Sequence, residues 1–132
     1  MNAFGIVRSG LEASMMRLTV SASNIANAQS TGAVPGSLGE AGQRAYQPVR
    51  AEITPIAQGG VQARLVPVDP AYRLSYDPAS RHADARGMVA APNVDIASEL
   101  VEQIAAKLAF EANLKVIATA NDLERRSIQL WG

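Results

Sequence analysis

Between residues 4 and 25 large apolar side chains return every seven positions, at Phe4, Leu11, Leu18 and Ile25. Val7, Met15 and Ala22 fill the intervening half-turns. Seven residues make two helical turns, so these side chains share one helix face, whereas on a strand they would alternate between faces. Residues 3–28 contain no proline and, past Gly10, no glycine. The far end of the chain behaves the same way, with neither residue between 94 and 130. There Val101, Ile104 and Leu108 mark one apolar run, and Phe110, Leu114 and Ile117 mark a second, rotated from it. Val116, Ala120, Leu123, Ser127 and Leu130 continue on a further face. Apolar residues therefore cover more of this second helix than one partner helix requires, which predicts more than one neighbour. Asp95, just after Pro92, is placed to cap its start.

All seven prolines and seven of the ten glycines fall between residues 30 and 92. Within that zone Val49, Ala51 and Ile53 alternate with Arg50, Glu52 and Thr54. After Gln58-Gly59-Gly60, Val61, Ala63 and Leu65 alternate with Gln62 and Arg64. Period-two alternation on both sides of a glycine pair predicts a β-hairpin. Tyr72, Leu74 and Tyr76 continue the alternation past Asp69-Pro70. Ser30 to Gln43, rich in Gly, Ser and Ala, is expected to be a mobile loop.

The fold class that follows is mainly α with a small β region. Long N- and C-terminal helices pack as an antiparallel coiled coil, with a short β unit between them. Three regions follow: 1–28, an N-terminal helix; 29–93, loop and β region; 94–132, a C-terminal helix. An unbroken final helix would span about 55 Å, against about 36 Å for a compact domain of this size. The molecule is therefore either elongated, and built to assemble, or broken in that helix.

Composition narrows the function. Twelve basic residues balance twelve acidic ones in 132 residues, which gives no long-range attraction to nucleic acid or an anionic membrane. No stretch approaches the roughly 20 apolar residues of a membrane span, and no cleavable signal peptide is visible at the start. The absence of cysteine removes disulfides, thiolate nucleophiles and thiolate metal ligands. The single histidine, His82, sits near Asp77 and Asp84, a sparse set for a metal. Asp69 and Asp77 each precede proline, which turn formation explains. We therefore expect no catalytic residue, no cofactor and no metal. Asn24 and Asn27 at the end of the first helix admit two readings. They mark a frayed helix terminus, or their amides bond across a helix interface and fix its register. Asn113 poses the same choice.

Ser9-Gly10-Leu11, then Ala22-Ser23-Asn24-Ile25-Ala26-Asn27-Ala28, resemble the N-terminal signature of bacterial flagellar axial proteins. Gly59-Gly60-Val61, Asp69-Pro70, Tyr76-Asp77-Pro78, Ala83-Asp84, Gly87, Pro92-Asn93-Val94-Asp95, Glu99 and Glu111-Ala112-Asn113 follow in the order seen in proximal rod proteins of the flagellar basal body, the FlgC type. The chain departs from that pattern at Ala79-Ser80-Arg81-His82, Met88, Leu100, Leu108 and Phe110, and its 29–45 loop is longer.

The resemblance implies a rod subunit, exported by the flagellar export apparatus, that lies in the periplasmic basal body and helps transmit motor torque. Its implied partners are sister rod proteins, membrane-ring adaptor subunits and its own copies, with no nucleic acid and no direct membrane insertion. The implied assembly interface is Phe4, Val7, Leu11, Met15, Leu18, Asn24, Ile25 and Asn27 on the first helix. On the second it is Val101, Ile104, Leu108, Phe110, Asn113, Leu114, Ile117 and Leu123. The resemblance favours the interface reading of the asparagines. Two alternatives stand beside it: a two-helix coiled-coil adaptor outside the flagellum, and a cell-wall-associated hydrolase.

Overall fold

A computed structural model describes residues 3–37 and 43–131 of the chain. The elements run α1 (Ala3–Ala26), β1 (Val49–Pro55), β2 (Val61–Pro67), β3 (Tyr72–Tyr76), β4 (Met88–Pro92) and α2 (Ile96–Trp131). The two helices pack together and the strands form two antiparallel pairs, β1 with β2 and β3 with β4.

The helix pair is antiparallel. Gly10 lies against Asn113, Arg17 bonds Glu102, and Ser21 and Asn24 reach Glu99, so position rises on α1 as it falls on α2. α2 is a single unbroken helix of 36 residues against 24 in α1, about 54 Å against about 36 Å. Of the two outcomes left by the length argument, the elongated molecule is the one observed. Residues 121–130 are all exposed. Leu123, Ile128 and Leu130 are among the large apolar side chains left there.

Asp95 starts α2 as its sequence position predicts. Its carboxylate accepts from the Ala97 backbone N–H at 3.2 Å and from the Ser98 hydroxyl at 2.7 Å. The Ala97 bond satisfies a backbone donor that the first helical turn leaves open. Both bonds hold the Asp95 carboxyl below the usual carboxylate range, the Ser98 hydroxyl contributing most.

The predicted hairpin forms with Val49 opposite Pro67 and Pro55 opposite Val61. Gly59 and Gly60 turn it at φ near 90°, a left-handed conformation that glycine enters without steric cost. The expected Tyr72–Tyr76 alternation is β3, and its partner β4 goes beyond the sequence reading. Met88-Val89-Ala90-Ala91 carries no polar alternation because β4 is the innermost strand, with Val89 and Ala90 buried. A short continuous apolar run is the signal such a strand leaves. The expected mobile loop is tied down at both described ends. Gly32 exchanges two 2.9 Å backbone hydrogen bonds with Ala90, and Ala33 donates to Gln43 at 3.0 Å. The middle of that loop, 38–42, lies outside the described residues.

Candidate assembly surface

Apart from Val7, the buried face of α1 is not the large-residue seam but adjoins it. Val7, Ala13, Ser14, Val20, Ser21 and Asn24 are the buried residues of α1, and Ala106 is the fully buried one of α2. Phe4 is exposed, while Leu11, Leu18 and Ile25 are half-buried along the flank. The physical reason is size and polarity. Gly10 sits so close to α2 that an added Cβ would stand 2.8 Å from the Asn113 amide nitrogen, and small side chains are what let two helix backbones approach. Asn113 turns its amide back to the Ala109 carbonyl at 2.9 Å.

Polar bonds hold this seam in register. The Ser21 hydroxyl donates to the Glu99 carbonyl at 2.8 Å. The Arg17 guanidinium grips the Glu102 carboxylate with two nitrogens, and that hydrogen bond raises the arginine's pKa above its ordinary value. Asn24, 1% exposed, joins three elements. Its amide nitrogen donates to the Val49 carbonyl at 2.8 Å and to the Glu99 carboxylate at 2.7 Å. Its oxygen accepts from the Tyr46 hydroxyl at 3.0 Å and from the Val49 N–H at 3.4 Å. All four bonding positions of the amide are used. Asn24 is therefore no frayed terminus.

Asn27 acts locally instead, donating to the Ser23 carbonyl and accepting from Ser30 in the turn that ends α1. Tyr46 and Glu99 are members of this network that periodicity alone does not reveal.

The remaining residues of the implied interface point away from the helix seam or flank it. Val101, Ile104 and Leu108 are 67%, 61% and 60% exposed, and Met15 is 51% exposed. Leu114 and Leu123 are exposed too, while Phe110, Asn113 and Ile117 are half-buried. On the outer side of α1, Leu11, Glu12, Met15, Met16, Thr19, Val20 and Leu65 of β2 line a mostly apolar groove of about 540 Å³.

Of the residues that invited a catalytic reading, Asp84 is tied into the backbone of its own turn. The Asp84 carboxylate accepts from the backbone N–H groups of Arg86 at 2.8 Å and Met88 at 3.0 Å and pairs with the Arg86 guanidinium. The Met88 bond contributes most to holding its carboxyl below the usual range. Asn93 ties Pro70 to the start of α2 through a 2.9 Å bond. Among the described residues no group of three or more His, Asp or Glu side chains is placed to hold a metal ion. No described helix is long and apolar enough to cross a membrane.

Comparison with known proteins bears directly on this arrangement. Residues 85–130 match the family described as flagellar basal body rod FlgEFG protein C-terminal, a stretch that covers β4 and nearly all of α2. The flagellar basal-body rod protein FlgC of Yersinia enterocolitica is 39% identical over 98% of this chain and 96% of its own length. Those of Salmonella typhimurium and Aquifex aeolicus are 35% and 32% identical over the same shares. Identity at this level, sustained from one helix through the strands to the other, places the chain in the FlgC family of flagellar basal-body rod proteins.

Proposed function

We propose that the chain is a non-catalytic structural subunit of the flagellar basal-body rod, associating with other rod components. The near full-length likeness to FlgC proteins carries this reading. The fold supports it: an elongated helix pair that leaves Val101, Ile104, Leu108 and Met15 uncovered needs neighbours to bury them. In this reading α1 and α2 form the rod core and residues 29–93 form the outer part of the subunit.

The finer assignment is a proximal position in the periplasmic rod, reached through the flagellar export apparatus without a cleaved signal. There the subunit passes motor torque between sister rod proteins, with membrane-ring adaptor subunits as further contacts. The test is deletion of the gene in its host. Loss of swimming, restored by the wild-type chain from a plasmid and accompanied by basal bodies arrested at the rod, is the expected result. Normal swimming in the deletion strain would overturn the assignment.

A further inference from the structure

The two strand pairs treat their open edges differently. In the β1–β2 ladder Ile56 bonds Gly60 and Val68 bonds Pro48, so the odd-numbered residues turn their backbone groups outward. The ends of both edges are blunted. Asn24 takes the N–H and the C=O of Val49, and the Val61 N–H donates to the Ser9 hydroxyl at 3.0 Å. Pro55 and Pro67 close the other ends, having no N–H to offer. The edge of β4 that faces away from β3 is closed by Gly32 through its two bonds to Ala90.

β3 has no such protection. Asn93 bonds Ala71 at one end of its ladder and Asp77 bonds Gly87 at the other, so Arg73 and Ser75 face β4. Tyr72, Leu74 and Tyr76 therefore turn their N–H and C=O groups to the open side, where no described residue meets them. β3 contains neither proline nor glycine and packs against β4 but neither helix. Three donors and three acceptors, repeating about every 7 Å, form a template for another extended backbone.

The side chains indicate what that backbone carries. Leu74 and Tyr76 lie exposed on one face of β3, and Arg73 is exposed on the other. The Arg73 charge is felt at Asp95, yet no described carboxylate stands within ion-pair distance of it.

We propose that the outer edge of β3 receives an extended segment of a partner protein as an added strand. That segment sets apolar side chains opposite Leu74 and Tyr76 and a carboxylate opposite Arg73. A second copy matches less well. Its own β3, paired about Leu74, would set Ser75 opposite Arg73 and leave that charge unanswered. The edge belongs to the β region and not to the helix faces, so this contact is additional to the rod reading above.

The probe is the blocked peptide Thr-Val-Thr-Val-Glu-Val-Thr, which in antiparallel pairing sets Val opposite Tyr72, Leu74 and Tyr76 and Glu opposite Arg73. It is titrated into the isotope-labelled full-length chain and followed by NMR. The amides of Tyr72, Leu74 and Tyr76 are expected to shift most, and at saturation to exchange at least threefold more slowly. Lys in place of the peptide's Glu should weaken binding at least threefold. Leu74→Pro removes an N–H that faces outward, so the bonds to β4 remain while binding falls at least tenfold. Leu74→Val keeps that N–H and should bind within twofold of wild type.

The same pair of variants separates the edge from the fold in cells. With urea midpoints equal, Leu74→Pro is expected to restore less than half the swimming that Leu74→Val restores to the deletion strain. No binding, binding confined to the helix faces, or equal binding of the Glu and Lys peptides would overturn the inference. So would equal swimming of the two variants. A concentration-dependent shift of the same three amides without peptide would also overturn it, by making a second copy the occupant. Restoration of swimming by Leu74→Val would leave the rod assignment standing in every one of these cases.

Discussion

The inner and outer faces of the helix pair reverse the usual distribution of side chains. The buried side carries Gly10, Ala13, Ser14, Ser21, Asn24 and Ala106 beside only Val7 and Val20, while Met15, Val101, Ile104 and Leu108 are exposed. A self-sufficient domain buries its large apolar residues, since each is worth about 1.5–3 kcal/mol when fully buried. Here the seam offers close approach and polar bonds instead. It specifies how the helices sit, and larger apolar residues remain exposed. In the proposed rod subunit, register belongs to the inner face and association to the outer one.

This contrast can be broken from the inside first. Asn24→Ala strips partners from the Val49 carbonyl, the Tyr46 hydroxyl and the Glu99 carboxylate at a buried site. The expected loss is about 2–4 kcal/mol, read as a lower urea midpoint. Gly10→Val comes next, at about 1–3 kcal/mol, because the added side chain meets Asn113. Combining a smaller Gly10→Ala with Asn113→Ala should recover most of that loss, which would confirm that close approach is the cause.

A milder effect is expected in acid. Asp84, Asp95 and Glu52 are held below the usual carboxylate range, chiefly by the Met88 N–H, the Ser98 hydroxyl and the Arg64 guanidinium respectively. The folded chain therefore takes up these protons at lower pH than the unfolded chain. The stability involved is fully present above the ordinary carboxylate range and is lost as pH falls below it, through the lower values of the folded carboxyls. Asp84→Asn with Asp95→Asn should flatten the acid limb of a stability–pH curve measured by urea denaturation.

Much of the inner architecture was legible because it depends on local chemistry. The Asp95 cap, the glycine turn at Gly59-Gly60 and the alternation of β1, β2 and β3 are each set by residues close in sequence. β4 was hidden because burial removes the polar alternation that exposes a strand. The seam was hidden for a related reason. Hydrophobic periodicity reports where large residues recur, and in this chain they recur beside the helix contact. Gly10, Ser14 and Ser21 carry no hydrophobic signal, yet they sit where the helices are closest. Asn24 stands out as a polar residue at the end of an apolar stripe, but its link to Tyr46 and Val49 depends on a chain return that sequence spacing does not encode.

The division of labour is tested most directly by Ile104→Asp, a change confined to an exposed position on the outer face of α2. Two quantities are measured together: the urea midpoint of the purified chain and the swimming of a deletion strain carrying the variant. The account predicts a midpoint within about 0.5 kcal/mol of wild type and cells that do not swim. A variant that unfolds early would place Ile104 in the chain's own core. A stable variant that swims normally would show that this face has no part in assembly.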